Sequence, residues 1–388
     1  MTSRLIILAA FAATVPALFL RLTGSHLMPP LQALAFGGAV LGAAFLLSWA
    51  AEVAQLEISQ ALALSILALI AVLPEYAVDL YFTWSAASRP EYGAYAAANM
   101  TGANRLLIGV AWPFVFLLFW LKGRKSVLPL EPAHRVELSF LGLATLYAFV
   151  IPLRGTFALL DTLVLLPLFV WYAWRVSQAH MVEPELVGPA ELIGRLPRGW
   201  RRAATLGMFI FAGVVIFASA EPFAESLVAT GETLGLDRFL LIQWLAPLAS
   251  EAPEFIVAGL LAWRGQATAA FGALISSKIN QWSLLVGMIP LVYSIASGAP
   301  SSLHLDFHQT QELWLTAAQS LYAMGIMLNL YMGKVGAAAL FVLFVVQFVF
   351  PDTHTNISIV YLLFAAYLIV RDREHILPLF RDGLLPKS

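Results

Sequence analysis

Two glutamates stand in the middle of long apolar stretches, each directly after a proline. Glu75 lies in the stretch 67–82, and Glu254 lies in the stretch 245–261. A carboxylate in the middle of a membrane-length helix is energetically costly, so it marks a functional site by default. Two such residues in matching positions of two halves predict an internally duplicated transporter whose site lies between the repeats.

Three further polar residues accompany these glutamates. Ser250 and Glu251 precede Glu254, and the spacing of three residues places the two carboxylates on one helix face. Asp79 comes four residues after Glu75 and shares its face in the same way. We expect Ser250 and Glu251 to take part in ion binding, and Asp79 to support the site or to relay protons.

Each of these helices is followed by one that polar residues interrupt. The first covers 91–113 and the second 270–290, and each carries small residues, amides and one basic residue before a glycine and a proline. Side-chain amides and hydroxyls bind ions or form hydrogen bonds between helices, and the sequence leaves both roles open. The candidate ion-binding residues on these two helices are Asn104, Ser277, Asn280 and Gln281.

One basic residue lies near the middle of each polar helix, Arg105 in the first and Lys278 in the second. A base at that depth needs an acidic partner. We expect Lys278 to pair with Glu251. For Arg105 the sequence offers a packing salt bridge with Glu75 or Asp79.

The charges of this set nearly cancel. The three glutamates contribute −3 and the two basic residues +2, which leaves −1 if all are ionised. A tethered lysine ammonium can occupy the place of a bound cation, and it can lose its proton when it is desolvated. Proton coupling and a monovalent substrate are therefore both open.

The composition is that of an integral membrane protein. Hydrophobic residues make up 60% of the chain and charged residues 12%, against about 25% charged residues in soluble domains. The apolar runs have the length of helices and not of barrel strands, so we predict an all-α polytopic protein. The net charge of −1 gives no reason to expect nucleic acid, and the absence of cysteine excludes disulfides and thiolate metal sites.

Hydropathy divides the chain into about twelve membrane segments, the first of which we interpret as a retained helix and not as a signal peptide. They cover approximately 4–22, 31–50, 57–86, 91–121, 136–152, 156–176, 204–228, 237–262, 267–297, 312–332, 334–350 and 356–370.

The basic residues indicate an orientation. With the N-terminus inside, 16 of the 22 Lys and Arg residues lie in inner loops or tails and 4 lie outside. We therefore expect both termini in the cytoplasm and the chain in a prokaryotic inner membrane. The Pro-Glu helices then follow an inner connection in one half and an outer connection in the other, as inverted repeats require.

The predicted organisation has five parts, with a basic cytoplasmic linker between the halves. They are an extra N-terminal helix in 1–30, a first repeat in 31–176, the linker in 177–203, a second repeat in 204–350, and an extra C-terminal helix with a tail in 351–388.

These features resemble the sodium/calcium exchanger family of the calcium/cation antiporter superfamily, of which the chain looks like a divergent member. The resemblance implies two inverted five-helix repeats, here with one extra helix at each end. It also implies that Glu75 and Glu254 are the ion-binding, metal-coordinating glutamates, through oxygen ligands of the kind that calcium and sodium prefer.

The chain departs from the family pattern around these glutamates. Residues 71–73 lack the usual hydroxyls, and Glu251 stands where a serine is usual. In the following helices the Gly-Ser pairs become 102–103 and 276–277, and the final Asn or Asp positions fall on Leu107 and Gln281.

The resemblance implies a secondary active cation antiporter that exchanges calcium or another cation for sodium or protons by alternating access. Two alternatives are a monovalent cation/proton exchanger and a non-transporting protein with a neutralised site. An intramembrane hydrolase ranks last, because no Ser/His dyad or zinc motif lies in a span, so we expect no enzyme. Inorganic cations and lipid are the expected partners, and no cofactor is expected. His304 and His308, with Asp306, suggest either an outer metal site or ordinary loop residues, and we interpret them as loop residues because the sequence offers no further partners.

Overall fold

The structure is a computed structural model that describes residues 3–56, 73–178 and 186–385. Helices form all twelve predicted segments, although the third is described only from Leu73 onwards. The helices are α1 (Ser3–Thr23), α2 (Pro29–Ala54), α3 (Leu73–Ser85), α4 (Tyr92–Leu106), α5 (Trp112–Gly123), α6 (Arg135–Ala148), α7 (Val150–Arg154), α8 (Leu159–Ser177), α9 (Pro189–Gly194), α10 (Arg198–Leu234), α11 (Arg238–Arg264), α12 (Ala267–Asn280), α13 (Val286–Ala296), α14 (Phe307–Met327), α15 (Lys334–Val349), α16 (His354–Arg371) and α17 (Ile376–Leu384).

Two of the membrane helices contain a single π-helical turn. Leu107–Ala111 joins α4 to α5, and Gln281–Leu285 joins α12 to α13. Short 3-10 turns, at Pro132–His134, Pro351–Thr353 and Arg373–His375, precede α6, α16 and α17. π turns are rare and occur frequently at functional sites.

The strands are short and lie in loops. β1 (Val127–Pro129) pairs antiparallel with β4 (Tyr331–Gly333), with Leu128 opposite Met332. β2 (Thr156–Phe157) pairs antiparallel with β3 (Leu303–His304), with Phe157 opposite Leu303. These pairs tie together loops that are distant in sequence.

Within the described residues, nine helical stretches are long and apolar enough to cross a membrane. The other predicted spans differ from these for simple reasons. α15 is apolar but has only 16 residues, and α3 is described in part. α14 has 21 residues, but buried polar side chains that include Glu312 and Gln319 interrupt its apolar surface.

The chain forms two compact units. The first unit comprises 1–82 and 177–254, and the second comprises 83–176 and 255–388. Each unit therefore takes residues from both predicted halves, because the boundaries fall on α3 and α11, shortly after their glutamates.

In the first unit, α2 packs along α10 and against α1. The face of α2 that makes these contacts is rich in buried glycine and alanine, which lets helix backbones approach closely. The predicted linker 177–203 is partly helical where it is described. It contains α9, and Arg198, Arg201 and Arg202 of its basic cluster belong to the first turns of α10.

In the second unit, α14 is largely buried and packs against α16, α6 and α4. The C-terminal helix α17 packs against α6, where the Ser139 hydroxyl donates a hydrogen bond to the carbonyl of Leu379 at 2.9 Å. The interpretation of His308 as a loop residue is wrong. It lies in the first turn of α14, which the Asp306 side chain caps.

Candidate functional site

The carboxyl groups of the first unit form a cluster on α3 and α11. Glu75 and Asp79 on α3 are 1% and 0% exposed, and Glu251 on α11 is 3% exposed. Glu75 interacts electrostatically with Glu251, Asp79 and Glu254, most strongly with Glu251. We call these four residues the carboxyl cluster.

The interaction between Glu75 and Glu251 has a chemical consequence. An ionised carboxylate only accepts hydrogen bonds, whereas a protonated carboxyl group can also donate one. Ionised carboxylates that are buried close together repel each other. The cluster is therefore suited to take up protons.

Glu254 differs from the other members because it is only partly buried. Its Oε2 is enclosed and accepts no hydrogen bond from the residues that the structure describes. Glu251 is close enough to interact with it electrostatically. An enclosed carboxylate oxygen without a donor is suited to bind a cation.

Two prolines shape α11 around these glutamates. Pro247 and Pro253 lie inside the helix, and Pro253 has no N–H to donate to the carbonyl four residues earlier. The Ser250 hydroxyl donates to the carbonyls of Ala246 and Pro247 at 3.2 and 3.3 Å. Its proton is thus used within the helix, and its oxygen lone pairs remain for a ligand.

In the second unit, the polar helices meet at Asn104 of α4 and Lys278 of α12. Lys278 Nζ lies 2.5 Å from Asn104 Oδ1 and 3.4 Å from the Asn104 carbonyl, and both residues are 0% exposed. The Asn104 amide is oriented by its own donation to the Met100 carbonyl at 2.8 Å. The Lys278 ammonium also lies 4.6 Å from the centroid of the Trp282 ring, a cation–π arrangement.

The neighbouring base is held differently. Arg105 forms a fully buried salt bridge with Glu312 of α14. The sequence correctly indicated that Arg105 needs an acidic partner, but it proposed Glu75 or Asp79 for that role. The sequence analysis gave α14 no part in the site, and the partner that the structure shows lies on that helix.

The remaining predicted ligands of the second unit are all buried. Ser277 is 7% exposed, Asn280 4% and Gln281 0%. The Ser277 hydroxyl forms no hydrogen bond with the residues that the structure describes, so its oxygen is available to a ligand. The pairing of Lys278 with Glu251 and the ligand roles of these three residues stay predictions.

Sequence reasoning missed Glu312, although a signal was present. It is the single acidic residue in the predicted segment 312–332, but it stands at the first position, so the argument from a carboxylate in mid-span that identified Glu75 gives only a weak signal here. Residues 71 and 72, where the family pattern has hydroxyls, lie outside the described residues.

The helical architecture, the polar helices with matching π turns and the buried carboxyl cluster define a polytopic membrane protein of the inverted-repeat exchanger class. The sequence profile of the family described as sodium/calcium exchanger protein matches residues 30–178 and 204–370. The chain belongs to this family, within the calcium/cation antiporter superfamily, which confirms the resemblance and the predicted fold class.

Solved structures include similar proteins. A crystal structure of the H+/Ca2+ exchanger CAX is 42% identical, with a TM-score of 0.94 over 98% of this chain and 97% of that one. The structure of native YfkE is 15% identical, with a TM-score of 0.64 over 91% and 99% of the two chains. The sodium-calcium exchanger NCX_Mj is 15% identical, with a TM-score of 0.54 over 89% and 99%. A comparison with curated proteins finds no match.

Proposed function

We propose that this antiporter exchanges calcium ions for protons by alternating access, and that Glu75, Glu251 and Glu254 bind the two ions in turn. The observation that carries the proposal is the burial of Glu75, Asp79 and Glu251 together in the carboxyl cluster. Calcium binds ionised carboxylate oxygens, whereas buried neighbouring carboxyl groups without a cation repel each other unless they take up protons. Because the two states exclude each other, loading one ion releases the other, which is the basis of exchange.

The relatives favour protons over sodium as the counter-ion. The 42% identical structure is that of an H+/Ca2+ exchanger. The sodium-calcium exchanger NCX_Mj is 15% identical, a similarity that supports the fold alone. Glu251 also replaces a serine of the family pattern with a group that takes up protons.

The charge of the buried groups supports a divalent substrate. The charge sum in the sequence analysis offset the three glutamates by Arg105 and Lys278 and gave −1. Because Glu312 neutralises Arg105, this arginine no longer offsets the charge of the glutamates. The carboxyl cluster therefore keeps the negative charge that a divalent cation needs, which weakens the alternatives of a monovalent substrate and of a neutralised, non-transporting site.

The other predicted ligands belong to the same proposal. We assign Ser250 and Ser277 to calcium binding through their hydroxyl oxygens, and Asn104, Asn280 and Gln281 to support of the polar helices or to direct ligation. Asp79 is the proton relay of the cluster, because it is buried on the same face as Glu75 and interacts with it.

Ion flux in proteoliposomes tests the function. With an acidic lumen and an alkaline exterior, wild type should accumulate calcium as protons leave, and a sodium gradient alone should drive no uptake. The Glu75→Gln/Glu254→Gln variant should show background flux. Glu221→Gln, a change to an exposed acid of α10, is the matched control and should keep wild-type flux. Uptake driven by sodium, or flux that survives the double change, would disprove the proposal.

We also propose a prokaryotic inner membrane with both termini in the cytoplasm, on the evidence of the basic residues. The chain has no cysteine, so single cysteines report accessibility without any background. A membrane-impermeant maleimide should label Ser297→Cys in intact cells and Ser126→Cys only after permeabilisation. Both positions are exposed in the structure, so the reverse labelling pattern would mean the opposite orientation.

A further inference from the structure

Three potential metal ligands converge where α14 and α16 begin. His354 Nδ1 lies 3.0 Å from Glu312 Oε1, and His308 Nε2 lies 3.8 Å from the same oxygen. All three ligand atoms lie within 4.8 Å of one another. Glu312 and His354 are buried, whereas the side chain of His308 is 48% exposed. We call these residues the His-Glu-His cluster.

The hydrogen-bond geometry of His354 requires a proton or a metal ion between its ring and Glu312. His354 Nε2 is 3.0 Å from the carbonyl oxygen of Gln347. A carbonyl only accepts, so Nε2 carries a proton and donates it. In neutral imidazole the other nitrogen, Nδ1, then carries a lone pair.

Glu312 meets that lone pair as an anion. Its Oε2 is paired with the guanidinium of Arg105, which favours the ionised carboxylate. A nitrogen lone pair facing a carboxylate oxygen at 3.0 Å is repulsive unless a proton or a metal ion lies between them.

We propose that the His-Glu-His cluster binds a divalent transition metal, with zinc as the fitting ion. The ligands are His308 Nε2, Glu312 Oε1 and His354 Nδ1, and water completes a tetrahedral shell. Two imidazoles and one carboxylate form a ligand set that zinc accepts with an open fourth position. The set shares no residue with the carboxyl cluster, so it does not depend on the proposed function.

Two features of the geometry fit a bound metal. First, ligands about 2.0–2.2 Å from a tetrahedral zinc lie roughly 3.3 Å apart, between the 3.0 and 3.8 Å that separate Glu312 Oε1 from the two imidazole nitrogens. Second, metal-binding histidines donate their other N–H to a carbonyl or carboxylate, as His354 does to Gln347.

The elements hold this arrangement in place. His308 and Glu312 are four residues apart on α14, so they share one helix face. His354 is the first residue of α16, which packs along α14. The exposure of His308 gives an ion access from solvent and lets this side chain move closer to the others.

Zinc titration of the metal-free, full-length protein in detergent tests the proposal. Wild type should bind one zinc ion, and cobalt in its place should show the visible absorption of a tetrahedral site. His308→Ala should weaken zinc binding at least about tenfold, since even outer-shell partners contribute that much. His354→Gln should abolish the cobalt spectrum. His304→Ala is the matched control, because this exposed histidine lies nearby outside the cluster, and it should change neither result.

The Glu75→Gln/Glu254→Gln variant separates this site from the carboxyl cluster and should bind zinc as wild type does. Loss of zinc binding in that variant, with retention in His308→Ala, would place the ion at the carboxyl cluster and overturn the proposal. Equal weakening by His304→Ala and His308→Ala would indicate adventitious surface binding. Absence of zinc binding in wild type would leave a proton on His354 Nδ1 and also refute the site.

Discussion

The two polar helices of the second unit, α4 and α12, share the same backbone arrangement, an α-helix followed by a π turn, but carry chemically different side chains. Each ends in a π turn, which starts at Leu107 in one helix and at Gln281 in the other. These are the two positions that the family pattern makes equivalent. The same spacing makes Asn104 equivalent to Lys278, and these two side chains are bonded to each other. An axis that relates two repeats brings residues at equivalent positions near it into contact with each other.

The difference lies in how each helix accommodates its positive charge. Arg105 on α4 has a carboxylate partner on α14, whereas Lys278 on α12 contacts the oxygens of Asn104 and the Trp282 ring. Amide and carbonyl oxygens are also ligands of hard cations. The comparison indicates that the two helices share their geometry while their positive charges have different neighbours.

The largest expected effect comes from breaking the salt bridge of α4. Arg105→Met removes the buried charge partner of Glu312 Oε2, and we expect a loss of about 3–5 kcal/mol of stability. Adding Glu312→Gln should recover most of it, because the buried negative charge is then removed. Thermal unfolding of the metal-free protein measures both.

The control for this experiment is Arg195→Met, which breaks an ion pair whose arginine side chain is 77% exposed. Exposed pairs contribute about 0–1 kcal/mol, so this change should have little effect. If Arg105→Met were equally mild, Glu312 would not be the structural partner of the arginine.

The second prediction exchanges the equivalent residues. The Asn104→Lys/Lys278→Asn variant keeps one lysine and one asparagine at the axis, but on opposite repeats. Each single change should destabilise the protein, and the double change should recover stability with a coupling energy of about 0.5–3 kcal/mol, as for residues in direct contact. The measurement is a double-mutant cycle of unfolding free energies. If the two losses simply add, Asn104 and Lys278 cannot be exchanged between the repeats.

The third prediction compares two glycines that follow the polar residues. A Cβ at Gly109 would lie 2.4 Å from Cδ2 of the buried Phe344 ring, whereas one at Gly287 would lie 3.0 Å from Leu165 Cβ. Gly109→Ala should therefore cost about 1–3 kcal/mol through overpacking. Gly287→Ala should stay within about 1 kcal/mol, because alanine's helix propensity offsets the milder contact. Equal unfolding midpoints for the two variants would contradict this difference.

Sequence reasoning predicted the helices and motifs that occur in both halves of the chain. It missed contacts that occur in only one half. Hydropathy and duplicated Pro-Glu motifs were sufficient for the helical segments, the family and the buried glutamates, because burial of a carboxylate in an apolar run is itself a local signal. The partner of Arg105 was not predictable, since Glu312 lies on a helix outside the duplicated motifs. The interpretation of His308 as a loop residue was wrong because the helix already begins at Phe307, where the Asp306 side chain caps it.

The π turns and the two compact units were also beyond sequence reasoning. No residue preference distinguishes Leu107 from Gln281 as the start of a π turn, so both depend on packing around the helix. The units cut across the predicted halves because they follow helix contacts and not chain order. Local chemistry therefore identified candidate residues such as Ser277, and only the three-dimensional arrangement shows which oxygens are already used.

The smallest expected effect on stability comes from Ser277→Ala, a substitution that makes α12 more like α4. Ser277 corresponds to Ala103, and its hydroxyl forms no hydrogen bond with the described residues, so Ser277→Ala should change the free energy of unfolding by less than about 1 kcal/mol. If this oxygen is a calcium ligand, half-saturation of proton-driven uptake should shift to roughly tenfold more calcium, equivalent to about 1.4 kcal/mol of binding. Unchanged uptake would remove Ser277 from the site. A large loss of stability would instead show that the hydroxyl has a structural partner, and the asymmetry between the two repeats would then be one of packing and not of ion binding.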